Sequence, residues 1–193
     1  MADFQLNAKY LDRFTLGTVR QIFNRNAPKS IQLREIFNNK SYHALQKELR
    51  TLQWAERTTP DMFSYRAADV PKELLSFVSS PEFRYFVSHV TNSKLKKVYL
   101  ELCAFGQQNY TLLHDKILQP EGIFFQFEFT KSWNSEWGGY TSFVKGENEL
   151  LRINPMPNTL TLVAQDQHTR SFVKYVNHLA EKNKRLFVRG VFV

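Results

Sequence analysis

His114 and Asp115 stand side by side in the run Tyr110-Thr111-Leu112-Leu113-His114-Asp115. Imidazole nitrogen and carboxylate oxygen are donors that divalent metals take. Their spacing works against a joint role. Adjacent side chains on a strand point to opposite faces, so the two cannot chelate one ion unless a bulge re-aims them. As structural groups, His114 reads as a hydrogen-bonded strand-end histidine. Asp115 reads as a turn-capping carboxylate. The single cysteine, Cys103, excludes a thiolate zinc cluster and an internal disulfide framework. It falls in an apolar strand pattern, where a thiol is inert. No Gly-rich phosphate loop is present, and no Ser-His-Asp order stands out.

These residues need a scaffold, and the hydrophobic periods sketch one. Ile31 to Phe37 reads as an extended segment leading into a helix. Ser41 is a candidate N-cap for a face of Tyr42, Leu45, Leu49 and Leu52 at helical spacing. Residues Arg57 to Asp69 read as a loop or irregular strands. A short helix starts at Pro71. Another starts at Ser80-Pro81-Glu82, with a cap, a first-turn proline and an acid at the positive helix end. Its stripe is Phe83, Phe86, Val87 and Val90. The period then changes to two. Val98, Leu100 and Leu102 alternate with Tyr99, Glu101 and Cys103. Phe125, Phe127 and Phe129 alternate with Gln126, Glu128 and Thr130. Leu160 and Leu162 follow, and the last strand runs from Leu186. Gly138-Gly139 reads as a place needing positive φ or close strand approach. Trp133, Trp137, Phe124, Phe125, Phe127 and Phe129 read as core or barrel lining. Helices first and strands second predict helices packed on one side of a β-sandwich or barrel.

The chain has 193 residues, 42% of them hydrophobic and 15% aromatic. That predicts one folded domain and argues against disorder. No stretch approaches a membrane span, no signal peptide is visible, and a lone cysteine fits a reducing cytosol. The expected setting is cytoplasmic, without a membrane. The formal net charge is +8. The plain reading is a soluble basic surface. The sharper one is a patch for nucleic acid or an acidic partner. The basic residues are spread from Arg20, Arg25, Lys29 and Arg34 through Lys94, Lys96 and Lys97 to Lys182, Lys184, Arg185 and Arg189. No nucleic-acid motif accompanies them.

From Tyr110 to Val176 the order of motifs resembles the prolyl-hydroxylase branch of the 2-oxoglutarate/iron(II) oxygenases. An HD pair is followed by a strand ending in Phe129-Thr130, then Trp133, Trp137-Gly138-Gly139, Ile153-Asn154-Pro155, a Leu-rich strand, and an arginine before the closing strand. Within that branch the chain looks most like the non-catalytic C-terminal β-helix domain of the ribosomal-protein prolyl dihydroxylases. The residues that carry this are Tyr110 to Asp115, Gly138-Gly139-Tyr140-Thr141-Ser142, Gly146 to Leu151 and Phe172 to His178. The resemblance implies an α+β fold, a double-stranded β-helix (jelly-roll, cupin-like) with supporting N-terminal helices. It is expected as one domain over 1–193, with helical support and first strands in 1–93 and the core β-helix in 94–193.

The resemblance also implies a site. Iron in this family takes a His, a carboxylate two residues later and a distal His. His114 holds the first position, Lys116 the second, and Ser171 the third by motif order. Lys adds charge repulsion, Ser is a poor iron(II) ligand, and the triad is incomplete. Asp115, His168 and His178 are the displaced candidates, with His168 expected in the loop before its strand. A basic residue at the last strand clamps the distal carboxylate of 2-oxoglutarate in the family. Arg185 is the candidate and Arg189 the second, since an arginine fork binds carboxylate bidentately. The plain reading of Arg185 is a solvated residue of a basic turn.

Three functions follow. The first is an oxygenase-fold module with a degenerate metal site and no bound metal, acting as a binding or regulatory module for a protein or peptide partner. The second is an active iron(II)/2-oxoglutarate-dependent prolyl hydroxylase that uses displaced ligands. The third is a basic ribosome- or RNA-associated factor.

Overall fold

A computed structural model describes residues 5–113 and 120–193. His114, Asp115 and Lys116 therefore lie outside the described residues.

Four helices and eleven strands are formed by the described chain. Helix α1 (Arg13–Arg25) is capped by Asp12, whose side chain accepts from Thr15 N. Strand β1 (Ser30–Arg34) follows. Helix α2 (Asn39–Leu49) buries Tyr42, Leu45 and Leu49, as the spacing predicts. Its cap is Asn38 and not Ser41. The Asn38 carboxamide accepts from Ser41 N at 2.9 Å, which places Ser41 inside the first turn. Strands β2 (Ala55–Thr59) and β3 (Phe63–Ala68) form a regular antiparallel hairpin where the sequence suggested a loop or irregular strands. Helices α3 (Lys72–Ser79) and α4 (Pro81–Thr91) come next. Ser80 caps α4 by accepting from Phe83 N, and Phe83, Phe86, Val87 and Val90 are buried as expected.

The remaining strands are β4 (Val98–Phe105), β5 (Tyr110–Thr111), β6 (Gly122–Glu128), β7 (Thr141–Lys145), β8 (Asn148–Ile153), β9 (Thr159–Gln165), β10 (Thr169–Val173) and β11 (Arg185–Phe192). The large sheet runs β1-β9-β6-β11-β4-β3-β2 and the small one β10-β7-β8. Short β5 joins β3 through Phe63↔Thr111 and reaches β10, where Val173 N donates to the Thr111 hydroxyl at 2.7 Å. From β4 onward the chain crosses repeatedly between the two sheets. That is the double-stranded β-helix, with helices on one face of the large sheet.

Period-two alternation sorts the core. Leu100, Leu102, Phe125, Phe127, Leu160, Leu162, Val188 and Phe192 point to the helices and join Phe37, Phe77, Phe83 and Phe86 in one cluster. The opposite face of the same strands looks into the space between the sheets. Two smaller apolar clusters sit there, one around Cys103, Phe105 and Phe187, the other around Phe124, Phe143 and Val163.

Two backbone devices fix the frame. Gly138 and Gly139 have φ of 75° and 65°, and a Cβ on Gly138 would lie 2.2 Å from the Tyr175 carbonyl oxygen. The close approach read from the sequence is there. Asn158, at φ 52°, ties the N-terminal layer to the large sheet. Its side chain accepts from Phe37 N at 3.0 Å and donates to Phe37 O at 2.9 Å. Truncation strands both groups in a dry setting, so Asn158→Ala should lose about 2 kcal/mol. Urea denaturation measures it, and a loss within error of zero would show that this clamp contributes nothing.

Candidate functional site

The inner face of the large sheet is polar where β4, β6 and β11 meet. Glu128 on β6 and Arg185 on β11 form an ion pair that is almost wholly out of water, with side-chain exposures of 2% and 0%. The Arg185 Nε and Nη2 groups donate to one Glu128 oxygen at 3.0 and 2.8 Å. Nη1 donates to Gly139 O at 2.5 Å and to the Thr141 hydroxyl at 3.0 Å. Gln126 donates to Glu128 at 3.2 Å and accepts from Thr141 at 3.1 Å. The Thr130 hydroxyl donates to the other Glu128 oxygen. The guanidinium also lies 4.3 Å from the centre of the Phe187 ring. Burial pushes the Glu128 carboxyl up, by more than Arg185 and Thr130 pull it down. The pair is thus costly to desolvate but fully hydrogen-bonded, the condition under which a buried ion pair holds.

A second arginine-carboxylate pair lies further along β11. Arg189 Nε and Nη2 donate to Glu101 at 2.9 and 2.6 Å, and Tyr65 donates to the other Glu101 oxygen at 2.7 Å. Burial raises the Glu101 carboxyl, but Arg189 and Tyr65 together hold it below the ordinary value. A carboxyl lowered in the folded state contributes stability above its unfolded pKa, and that contribution is lost as pH falls through the folded value. Glu101→Gln should therefore flatten the decline in stability on acidification, as read by urea melts from pH 7 down to about 3. Parallel declines in both proteins would remove Glu101 from acid unfolding.

Arg189 and Glu101 line a cavity of about 480 Å³ together with Tyr99, Phe124, Ser171 and Val191. Ser171, read from the sequence as the distal ligand position, is on β10 and faces this cavity. The chain re-enters the described residues at Pro120, which also lines it. Arg185 is not among the lining residues. It is not the solvated turn residue of the plain reading either, since it is fully buried. His168 is in the turn before β10, as expected, and His178 is in a 3-10 turn after it. Both are exposed, so neither is turned into the space between the sheets. Among the described residues no group of three His, Cys, Asp or Glu is placed to hold a metal. Cys103 is fully buried, and burial drives its thiol pKa far up.

Sequence reading missed Glu128 and Glu101, the partners of both arginines. A signal for them exists. Each sits on the polar side of an alternating strand whose apolar side faces the helices.

No helix among the described residues is long and apolar enough to cross a membrane. Residues 54–192 match the family described as "Oxoglutarate and iron-dependent oxygenase degradation C-term". Among curated proteins, prolyl 3-hydroxylase OGFOD1 of Mus musculus is 38% identical over 90 residues, covering 45% of this chain and 16% of that protein. Its Xenopus laevis counterpart is 36% identical over 89 residues, covering 42% of this chain and 17% of that one. The match thus spans about a sixth of either relative. Among solved structures, a Pseudomonas putida prolyl-4-hydroxylase superposes with a TM-score of 0.68 at 12% identity, over 92% of this chain and 97% of that one. A prolyl hydroxylase from Trichoplax adhaerens, in complex with a hypoxia inducible factor oxygen degradation domain peptide fragment, gives 0.69 at 12% identity, over 95% and 94%. At that identity the likeness is one of fold.

Proposed function

The chain belongs to the family of oxoglutarate and iron-dependent oxygenase degradation C-terminal domains, and from that premise we propose that it is a non-catalytic β-helix module that binds a protein or peptide partner. The observation that carries this reading is the state of Arg185. The resemblance assigns it to the distal carboxylate of 2-oxoglutarate, yet its fork already holds Glu128 inside the protein. The second candidate, Arg189, holds Glu101.

Iron and 2-oxoglutarate are the cofactors the family implies, and the residues here do not fit them. Both arginine forks are filled by the chain's own carboxylates. The second and third ligand positions read as Lys116, a cation, and Ser171, a hydroxyl. Neither His168 nor His178 is turned inward to replace them. What is retained is a β-helix with a cavity between its sheets, edged by Tyr99 and Phe124 and polar at Arg189 and Ser171. Such a concave site with few polar groups suits an anchor side chain of a bound segment. The Trichoplax neighbour, which holds a peptide fragment, supports a peptide as the class of partner.

Anaerobic titration with iron(II) and 2-oxoglutarate, with His114→Ala alongside, tests the reading. Neither ligand should bind, and the variant should match the parent. Tight iron uptake lost in the variant would show a metal site built from displaced ligands, and peptide-dependent succinate in a parallel turnover assay supplied with oxygen would establish an active hydroxylase.

A further inference from the structure

Strand β4 is paired along its whole length with β11, from Val98↔Phe192 to Phe105↔Arg185. On its other side β3 covers it only at Leu102, Cys103 and Ala104. The chain leaves β3 at Ala68 and turns through Asp69 and Val70 into α3, so the first half of β4 has an open edge. Hydrogen-bond parity identifies the groups that face it. Lys97 and Val193 exchange both backbone bonds, at 3.1 and 3.0 Å. In an antiparallel pair such residues alternate with residues that turn their N–H and C=O the other way. Tyr99 and Glu101 therefore bond toward β11, and Val98 and Leu100 aim theirs at the open edge.

Two cavities flank that edge and share Leu100 and Glu101. One is the site cavity with Tyr99, Phe124 and Val191. The other, about 520 Å³, fills the gap where β3 departs and is lined by Trp54, Arg57, Asp69 and Val70. An unpaired edge with a pocket on either side is the arrangement that accepts an added strand. Main-chain bonds give the affinity, and alternate side chains enter the pockets. The charge around the edge is predominantly positive. Lys94, Lys96 and Lys97 precede β4 and are exposed, and Arg57 lines the second cavity. None of the four is in a salt bridge among the described residues, and Asp69 is the one acid there outside an ion pair.

We propose that an extended acidic peptide adds to the open edge of β4 as an antiparallel strand, bonding Val98 and Leu100 and placing alternate apolar side chains in the cavity beside Phe124. The proposal rests on the reading of this chain as a peptide-binding module and specifies its mode.

The probe is a fluorescein-labelled peptide of alternating Glu and Val, with three controls: Lys in place of Glu, and N-methylation of alternate residues in either register. Binding is followed by polarisation, and amide hydrogen exchange by NMR. The Glu-Val peptide should bind and slow exchange at Val98 and Leu100 by about tenfold or more. One N-methyl register should abolish binding. The exposed-site variant Lys96→Glu/Lys97→Glu should weaken binding by about tenfold and reduce its salt dependence. Failure of the peptide to bind, equal binding of the Lys peptide, or equal binding of both N-methylated forms would overturn the edge proposal. So would protection confined to amides around Phe124 and Ser171, which would leave the module reading standing. Iron and 2-oxoglutarate uptake in the anaerobic titration would instead remove the module reading itself.

Discussion

Glu128→Ala should be among the most destabilising single changes in this protein, and a small carboxylate should reverse part of the loss. Removing one partner of a buried pair leaves the other charge uncompensated, which costs about 3–5 kcal/mol. For a chain of this size each kcal/mol is worth roughly 2–4 °C, so Tm should fall by about 6–20 °C. The space vacated by the side chain faces the Arg185 fork. Acetate or formate added at roughly tens of millimolar should raise the Tm of the variant and leave the parent unchanged. The double variant Glu128→Leu/Arg185→Met should recover much of the loss, since a well-packed apolar pair can replace a buried ion pair. A Tm within about 2 °C of the parent for Glu128→Ala would show that Arg185 is compensated by other groups. Rescue of the parent and the variant alike would locate the carboxylate effect elsewhere.

The second large effect is expected where helix meets sheet. Phe83 on α4 is fully buried and its ring meets those of Phe77, Phe125, Phe127 and Phe192 at centroid distances of 5.0 to 6.2 Å. Phe83→Ala removes an aromatic from a site that cannot collapse without moving a helix or the sheet, so about 3–5 kcal/mol should be lost. The urea midpoint should fall with the m-value unchanged. Phe14 on α1, 83% exposed, is the matched control, and Phe14→Ala should stay within about 0.5 kcal/mol. Loss of less than about 2 kcal/mol for Phe83→Ala would mean that the helical layer repacks freely around the gap.

Most of the framework is legible in the sequence, because each apolar stripe has one dominant period. The Ser80 cap, the α4 stripe and the alternation in β4, β6, β9 and β11 all follow from that. The hairpin of β2 and β3 is harder to read. The β2 residues Ala55 to Thr59 are mostly exposed, so no apolar period announces the strand, and pairing with β3 makes it. The cap of α2 shifts from Ser41 to Asn38 because both residue types can cap, and position in the turn decides. The site is less legible for a physical reason. Alternation tells which residues share a face but not which face meets water. Gln126, Glu128 and Glu101 have the composition of a solvated face, and here that face looks into the β-helix, with Gln126 and Glu128 buried and Glu101 at the cavity. The pairing of Glu128 with Arg185 adds a separation of 57 residues, which register alone brings together.

The carboxylate that Arg185 holds is covalently part of the chain, and it has a consequence for inhibitor chemistry. A compound designed to imitate a dicarboxylate co-substrate gains its affinity by offering an anion to a vacant arginine. On the assignment of Arg185 to the co-substrate carboxylate, that seat is filled by Glu128 at the high effective concentration of an intramolecular partner. Dicarboxylate mimics should pass this protein by, whereas ligands shaped for the cavity beside Tyr99 and Phe124 would engage it without drawing on that anion at all.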